Sequence, residues 1–328
     1  MALITLAGCS GFVFDYLILG YITFWGPSVS FLMGLIIAII EEFVYTRIKS
    51  SFHFAIEFMI KAAFHSVYTF ILFFLLLLLY QNYYGLYIEN YFDILLSHNF
   101  IIPFLIANIS IDYILLFLYL NRLLGRGRFF KYFMGSYRKP KEEERIFMFI
   151  DLNSSTQIAE EFGNNKFFRF LNDFFHDLTE PILHSSAHIY QYIGDEIVLT
   201  WTMKEGLKSS NCITIFFRIL KRIRKRKKYY LKKYGRVPKF KAGAHCGLIT
   251  TSELGDLKKE IVFNGDVMNT AARIRSKCTE MKCSFLISKK LHDKVNFPRK
   301  VVSESKGTFS LKGKAHPIEL FAVRDCEH

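Results

Sequence analysis

The 328-residue chain has room for two folding units, and its composition divides them: about the first 120 residues are strongly apolar, the remainder mixed, charged and basic. Its net charge of +14 points to an anionic partner. The six cysteines form no Cys-x-x-Cys pair and have no histidine at zinc-ligand spacing, which argues against a zinc ribbon or a disulfide framework and leaves reduced thiols in a cytosolic setting.

Four apolar segments, at residues 3–24, 28–45, 62–80 and 101–120, each approach the ~20 residues that a helix needs to span a bilayer. Gly26 and Pro27 separate the first two by a very short hairpin. Arg47, Lys49 and Lys61 flank the connection between the second and third segments, and Arg122, Arg126, Arg128 and Lys131 follow the fourth. The other two connections contain neither lysine nor arginine, residues that mark the cytoplasmic side. The expectation is a four-helix transmembrane bundle over residues 1–120, multi-pass in the cell inner membrane and in contact with its lipids. Both the N-terminus and the domain that follows would be cytoplasmic. Leu6-Ala7-Gly8-Cys9 resembles a lipoprotein cleavage box, but too few residues precede Cys9, none of them basic, for a signal peptide. Asp15 and Asp112 fall near the middle of the first and fourth segments. Acids at that depth are costly and read either as functional positions or as hydrogen-bonded packing devices, with Glu57 and His65 as companions.

Residues 121–144 form a basic, aromatic juxtamembrane linker, suited to a helix at the inner membrane surface and ended by Pro140. It reads as a transmitter or a tether. The second unit, residues 145–328, alternates strands with helices, so a mixed sheet with covering helices is expected, an α+β domain. Arg145–Asp151 reads as a buried strand and the residues from Ser154 to Leu183 as two helices. His188–Trp201 reads as a hairpin turning at Gly194-Asp195. Residues 211–234 read as one long basic helix, followed by a strand from Lys239 to Thr250. No acid occurs between Arg218 and Lys241. That run reads first as a solvated helix face, then as a contact for anionic lipid headgroups. Nucleic acid is not expected, because no base-reading motif accompanies the charge.

Asp151 and Asp195 each end a run of β-branched and aromatic residues. Two carboxylates converging at strand ends suit hard cations such as Mg²⁺, and a pair of such metals can serve phosphoryl-type transfer. Around them, five pieces stand in order: FMFIDLNSST, YIGDE, AHCG, NGDVMNTAAR and GTFSLKGKAHP. Together they resemble the class III nucleotidyl (adenylate/guanylate) cyclase catalytic domain of the membrane-anchored bacterial type, over about residues 145–325.

The resemblance implies a ferredoxin-like catalytic fold and a homodimer formed through the catalytic domain. It implies conversion of a nucleoside triphosphate, ATP first, to the cyclic nucleotide and pyrophosphate. Asp151 and Asp195 would hold two Mg²⁺ or Mn²⁺ ions per site. Ser155 and Thr156, at a helix start, would take phosphate oxygens, and Lys312 the departing β,γ-phosphates. Asn269 would orient the ribose and Arg273 would meet charge at the α-phosphate. The base positions fall on Gln191 and Val262, where the family usually has Lys and Asp for adenine. Gln191 both donates and accepts, whereas the Val262 side chain offers no polar contact, so GTP or a pyrimidine nucleotide stays open. A non-catalytic membrane sensor with a cyclase-like dimerisation module is the alternative of another kind. His245 is read as packing, and Cys246 and Cys278 as ordinary buried thiols.

Overall fold

The computed structural model describes residues 54–84, 95–123, 139–257, 260–310 and 317–326, with a few isolated positions between 28 and 39. The chain divides into two compact units, Met1–Leu124 and Gly125–His328.

In the first unit, helix α1 (Phe54–Tyr84) contains the third apolar segment and helix α2 (His98–Leu123) the fourth. They pack through Phe70 and Phe104, whose rings meet edge to face at 6.1 Å, and through Ile111 and Leu115 against Phe58 and Tyr68. Glu57 pairs with Lys61 one turn on, at 3.1 Å. Asp112 is half-buried. Among the described residues no helix is long and apolar enough to cross a membrane. The first segment, Asp15 and most of the second segment lie outside the described residues, so the four-helix bundle rests on the sequence.

The second unit is built on an eight-stranded sheet. Its elements in chain order begin with β1 (Lys141–Leu152), α3 (Ser155–Phe162), α4 (Asn164–His184), β2 (His188–Ile193), β3 (Glu196–Thr202) and α5 (Met203–Leu207). There follow α6 (Asn211–Lys225), α7 (Lys227–Tyr234), β4 (Phe240–Leu254), β5 (Glu260–Asn264) and α8 (Asp266–Glu280). The last are β6 (Phe285–Ser288), α9 (Lys289–His292), β7 (Val301–Phe309) and β8 (Ile318–Asp325). The sheet order is β2-β3-β1-β4-β6-β8-β7, with β5 paired to the far end of β4. Among the described residues, the β4–β6 pair alone is parallel. β1 starts at Lys141, earlier than the apolar run, because its polar residues pair with Thr250 and Thr251 of β4.

Alternation along β1 sends its two faces into different cores. Ile146, Met148, Ile150 and Leu152 pack with α3, α4 and α6. Phe147 and Phe149 turn to the opposite face, beside Val267 and Ala271 of α8. The strand therefore reads as a continuous apolar run, and Asp151 shares the parity of Phe147 and Phe149. It belongs to the α8 face.

Helix α8 comes unusually close to the sheet. A Cβ on Gly243 would meet the backbone nitrogen of Arg275 at 2.2 Å, and one on Gly247 would meet Val267 at 2.8 Å. These two glycines lie on one face of β4 and let α8 rest directly on the strand. Gly247 is the glycine of the AHCG motif. His245, two residues before it, is buried with Nδ1 2.6 Å from Ser288 Oγ, consistent with a packing role.

The basic stretch differs from its reading as one helix. It breaks at Arg226 (φ −94°, ψ 8°) into α6 and α7, and part of its charge turns inward. Arg222 and Arg226 reach the buried Asp177 at 3.3 and 3.2 Å. Lys233 reaches Asp173 at 2.6 Å. The hydroxyls of Tyr229 and Tyr234 donate to Asp173, and that of Tyr230 donates to Asp177. These acids sit on α4, so the basic pair of helices is clamped to the domain by buried, satisfied charge.

Candidate active site

Asp151 stands near the end of β1, on the α8 face. Asp195 lies in the two-residue turn between Ile193 and Glu196, which pair across the β2–β3 hairpin. Gly194 takes φ 60° at the first turn position, the place where a two-residue turn of the II′ kind calls for glycine. Asp151 pairs with Glu196 in the β1–β3 register, so the hairpin tip delivers Asp195 next to Asp151. The two carboxyls lie near enough that Asp195 acts on the ionisation of Asp151. The pairing inferred from two strand ends is thus present in the fold.

Three groups not singled out from the sequence complete this cluster. Arg275 of α8 spans two acids, its Nη1 2.8 Å from Asp151 Oδ2 and its Nη2 2.9 Å from Glu196 Oε1. Lys241 of β4, which pairs with Asp151 in the register, brings its Nζ to 3.3 Å from the same oxygen. Asp151 is 8% exposed. Burial pushes its carboxyl above the ordinary range, Arg275 pulls it back, and the neighbouring Asp195 pushes it up again. Burial likewise lifts Glu196, to about 7, against the pull of Arg275 and with the added repulsion of Asp151 and Asp195. Three carboxyls thus crowd around one guanidinium and one ammonium.

That environment fits divalent cations. Asp195 Oδ2 is buried and accepts no hydrogen bond. Carboxylate oxygens are the donors that Mg²⁺ and Mn²⁺ prefer. Asp151 and Asp195 would hold such ions, with Glu196 beside them.

The turn Asn153–Ser154 follows Asp151, and α3 begins at Ser155 after Ser154 in the left-handed region (φ 57°). No side chain caps that helix start. Its first amides, at half-buried Ser155 and exposed Thr156, lack intrahelical partners by the geometry of any helix start and suit anionic oxygens.

Asn269 and Arg273 both lie on α8, four residues apart and on one face. Asn269 is exposed, and Arg273 Nη1 is buried with no hydrogen-bond partner. Arg275 is two positions beyond Arg273 and faces a different direction. The helix thus gives Arg275 to its own carboxylates and leaves Arg273 unspent. The structure does not bring Arg273 into the ion-pair cluster of Asp151. Lys312 lies outside the described residues.

Gln191 is exposed on β2 and Val262 is half-buried on β5. The β2–β3 register slips between Ile189 and Gln191, so Tyr190 is an extra, bulged residue, a device that re-aims side chains. Its ring packs on Phe263 at 4.9 Å. Each base position is therefore one residue from a contact that ties β2 to β5.

The family model for the adenylate and guanylate cyclase catalytic domain matches residues 138–324. Adenylate cyclase 2 of Rhizobium meliloti (strain 1021) is 35% identical over 210 residues, covering 64% of this chain and 58% of that protein. An adenylate cyclase of Anabaena cylindrica is 22% identical over 184 residues, 54% of this chain and 36% of that protein. The chain thus spans only part of the length of these relatives. Among solved structures, a bacterial light-regulated adenylyl cyclase superposes with TM-score 0.56 at 17% identity, covering 72% of this chain and 67% of that one. The adenylyl cyclase CyaB from P. aeruginosa gives 0.50 at 17% identity, covering 57% and 96%; both likenesses concern the fold. The matched residues run from just before β1 into the last strand, and the chain belongs to the adenylate and guanylate cyclase catalytic domain family.

Proposed function

We propose that the protein is an adenylate cyclase anchored in the inner membrane, converting ATP to cyclic AMP and pyrophosphate in intracellular signalling. The observation that carries the reading is the proximity of Asp151 and Asp195 at the rim of the sheet, beneath the cationic helix α8. The relative named as an adenylate cyclase at 35% identity supports ATP.

In this reading, Asp151 and Asp195 would hold two divalent cations, which would supply activation of the ribose 3′-oxygen and neutralisation of the triphosphate charge. The chain's own residues do the rest. Amides at Ser155 and Thr156 and the ammonium of Lys312 hold the β- and γ-phosphates, and Asn269 fixes the ribose. The guanidinium of Arg273 offers its fork of donors to charge growing on the α-phosphate. The 3′-oxygen attacks the α-phosphorus in line, and pyrophosphate leaves. Because Arg273 Nη1 has no hydrogen-bond partner among the described residues, the reading places Arg273 in the site of a second copy, giving a symmetric homodimer with two shared sites. Gln191 contacts the base; its two-way hydrogen bonding keeps guanine as the second reading.

Anchoring is supported by the four apolar segments and by the exposure of Met59, Val67, Ile71, Leu105 and Ile109 along α1 and α2, apolar side chains that call for an apolar surrounding. The test takes full-length protein from the membrane fraction, solubilises it, and supplies each of the four nucleoside triphosphates with Mg²⁺ or Mn²⁺. Mass spectrometry is expected to find cyclic AMP in excess. A predominance of cyclic GMP would establish the second reading, and no cyclic nucleotide from any substrate would sink both.

A further inference from the structure

Helix α8 ends in a backbone motif that brings two cysteines together. The amide of Cys283 donates to the carbonyl of Cys278 at 3.0 Å, the amide of Lys282 donates to that of Thr279 at 3.3 Å, and Lys282 takes φ 49°. This is a Schellman cap, in which the residue in the last turn and the second residue past the helix press their side chains together, usually as an apolar contact. Here both are cysteines. Cys278 is 1% exposed, with Sγ 3.2 Å from the carbonyl oxygen of Ala242 on β4. Cys283 is half-buried, and the two thiols lie near enough to shift each other's ionisation, that of Cys278 upward and that of Cys283 downward. A backbone bond of 3.0 Å holds the two Cα atoms within about 7 Å, the span a disulfide can bridge.

We propose that Cys278 and Cys283 form an oxidisable dithiol that closes to an intrachain disulfide and ties off the end of the helix carrying Asn269, Arg273 and Arg275. Cys283 is the attacking sulfur. It is the more accessible of the two, and the proximity of Cys278, Lys306 and Arg324 favours its thiolate. The oxidant is a peroxide. The Cys283 thiolate attacks one peroxide oxygen, an S–O bond forms as the O–O bond breaks, and the departing hydroxide takes a proton to become water. Cys278 then gives up its proton and attacks the sulfenic sulfur, and the second oxygen leaves as water. Two thiols are oxidised by two electrons and one peroxide is reduced. A dithiol reductant reverses the change by exchange. Closure needs no large movement of the backbone, because the cap already holds the two residues side by side, and exposed Cys326 has no such arrangement.

The test exposes purified full-length protein to hydrogen peroxide, alkylates the remaining thiols under denaturing conditions, and digests with trypsin. Cleavage after Lys277, Lys282 and Lys289 converts the disulfide into peptide 278–282 joined to peptide 283–289, a mass that no reduced product shares. The expected result is that this joined pair replaces most of the two alkylated peptides and vanishes with dithiothreitol. Cys283→Ser is expected to abolish it and leave Cys278 alkylated, whereas Cys326→Ser leaves it unchanged. The proposal is overturned if wild-type protein returns both peptides alkylated, if Cys283 ends as sulfinic acid with Cys278 untouched, or if either sulfur is found joined to another cysteine.

Discussion

Arg275 holds two carboxylates at once, and in the proposed site that single side chain would set how divalent cations are received. A divalent cation that takes Asp151 Oδ2 displaces Nη1 at 2.8 Å, and one that takes Glu196 Oε1 displaces Nη2 at 2.9 Å. Hydrogen bonds to charged groups contribute about 1.5–3 kcal/mol each, so the arginine competes with the ion. In Arg275→Met, at a pH well above the value of about 7 that Glu196 has in the wild type, because losing the arginine lifts that carboxyl further, Mn²⁺ should bind about tenfold more tightly without nucleotide, which is ~1.4 kcal/mol. The signal of free Mn²⁺ in electron paramagnetic resonance measures this directly, and an unchanged or weaker affinity would show that the arginine supports the site instead of guarding it. The two aspartates were legible because an acid closing a run of β-branched and aromatic residues is chemically conspicuous. Arg275 was not, because its role depends on how closely α8 lies on Gly243. Glu196 was hidden for a related reason: the β1–β3 register, and no local pattern, sets it opposite Asp151.

At the scale of elements, the helices and strands that could be read were those with one consistent period. The hairpin turn at Gly194-Asp195 was legible from its turn chemistry. The basic stretch was not, since its partners Asp173 and Asp177 lie on α4, far away in sequence, and no window along 211–234 shows that three of its cations are spoken for. A smaller element joins β3 to α5. There Thr202 caps the helix by accepting from the amide of Glu205, and the Glu205 carboxylate accepts in return from the Thr202 amide and hydroxyl. Burial alone would raise the Glu205 carboxyl, but the two bonds from Thr202 outweigh it and hold the group below its ordinary 4.5. A lowered folded-state value means stability that is full above that pH and is lost as pH falls through the folded value. Thr202→Ala should therefore cost about 1 kcal/mol at neutral pH, and the gap from wild type should shrink in acid; urea melts at neutral and acidic pH read both. A gap that stays constant would remove the carboxylate from the cap's energetics.

For the whole molecule, the division into two units was legible from composition alone, and the order of motifs identified the catalytic one. The pairing of two chains, which the resemblance implies, is carried in the sequence only by both halves of the proposed site residing in it. The test is complementation. Asp151→Ala and Arg273→Ala should each fall by at least about a hundredfold in rate, the scale of losing one transition-state donor. Mixed under conditions that exchange subunits, they should recover up to about one quarter of wild-type activity, because half of the pairs are heterodimers, each with one intact site. Heterodimers demonstrated by differential tagging yet inactive would rule out a shared site.

The close seat of α8 on Gly243 and Gly247 has a mechanical consequence. One rigid rod bears Arg275, engaged with the acids of its own chain, and Arg273, directed elsewhere. If metals dislodge Arg275, the rod is relieved of its tether at the place where it touches the strand, and Arg273 moves with it. In a dimer built as proposed, filling one site would then reset the arginine serving the other. The two sites would work in turn, not side by side, and the rate would depend on metal concentration with a Hill coefficient that differs from one and returns toward it in Arg275→Met.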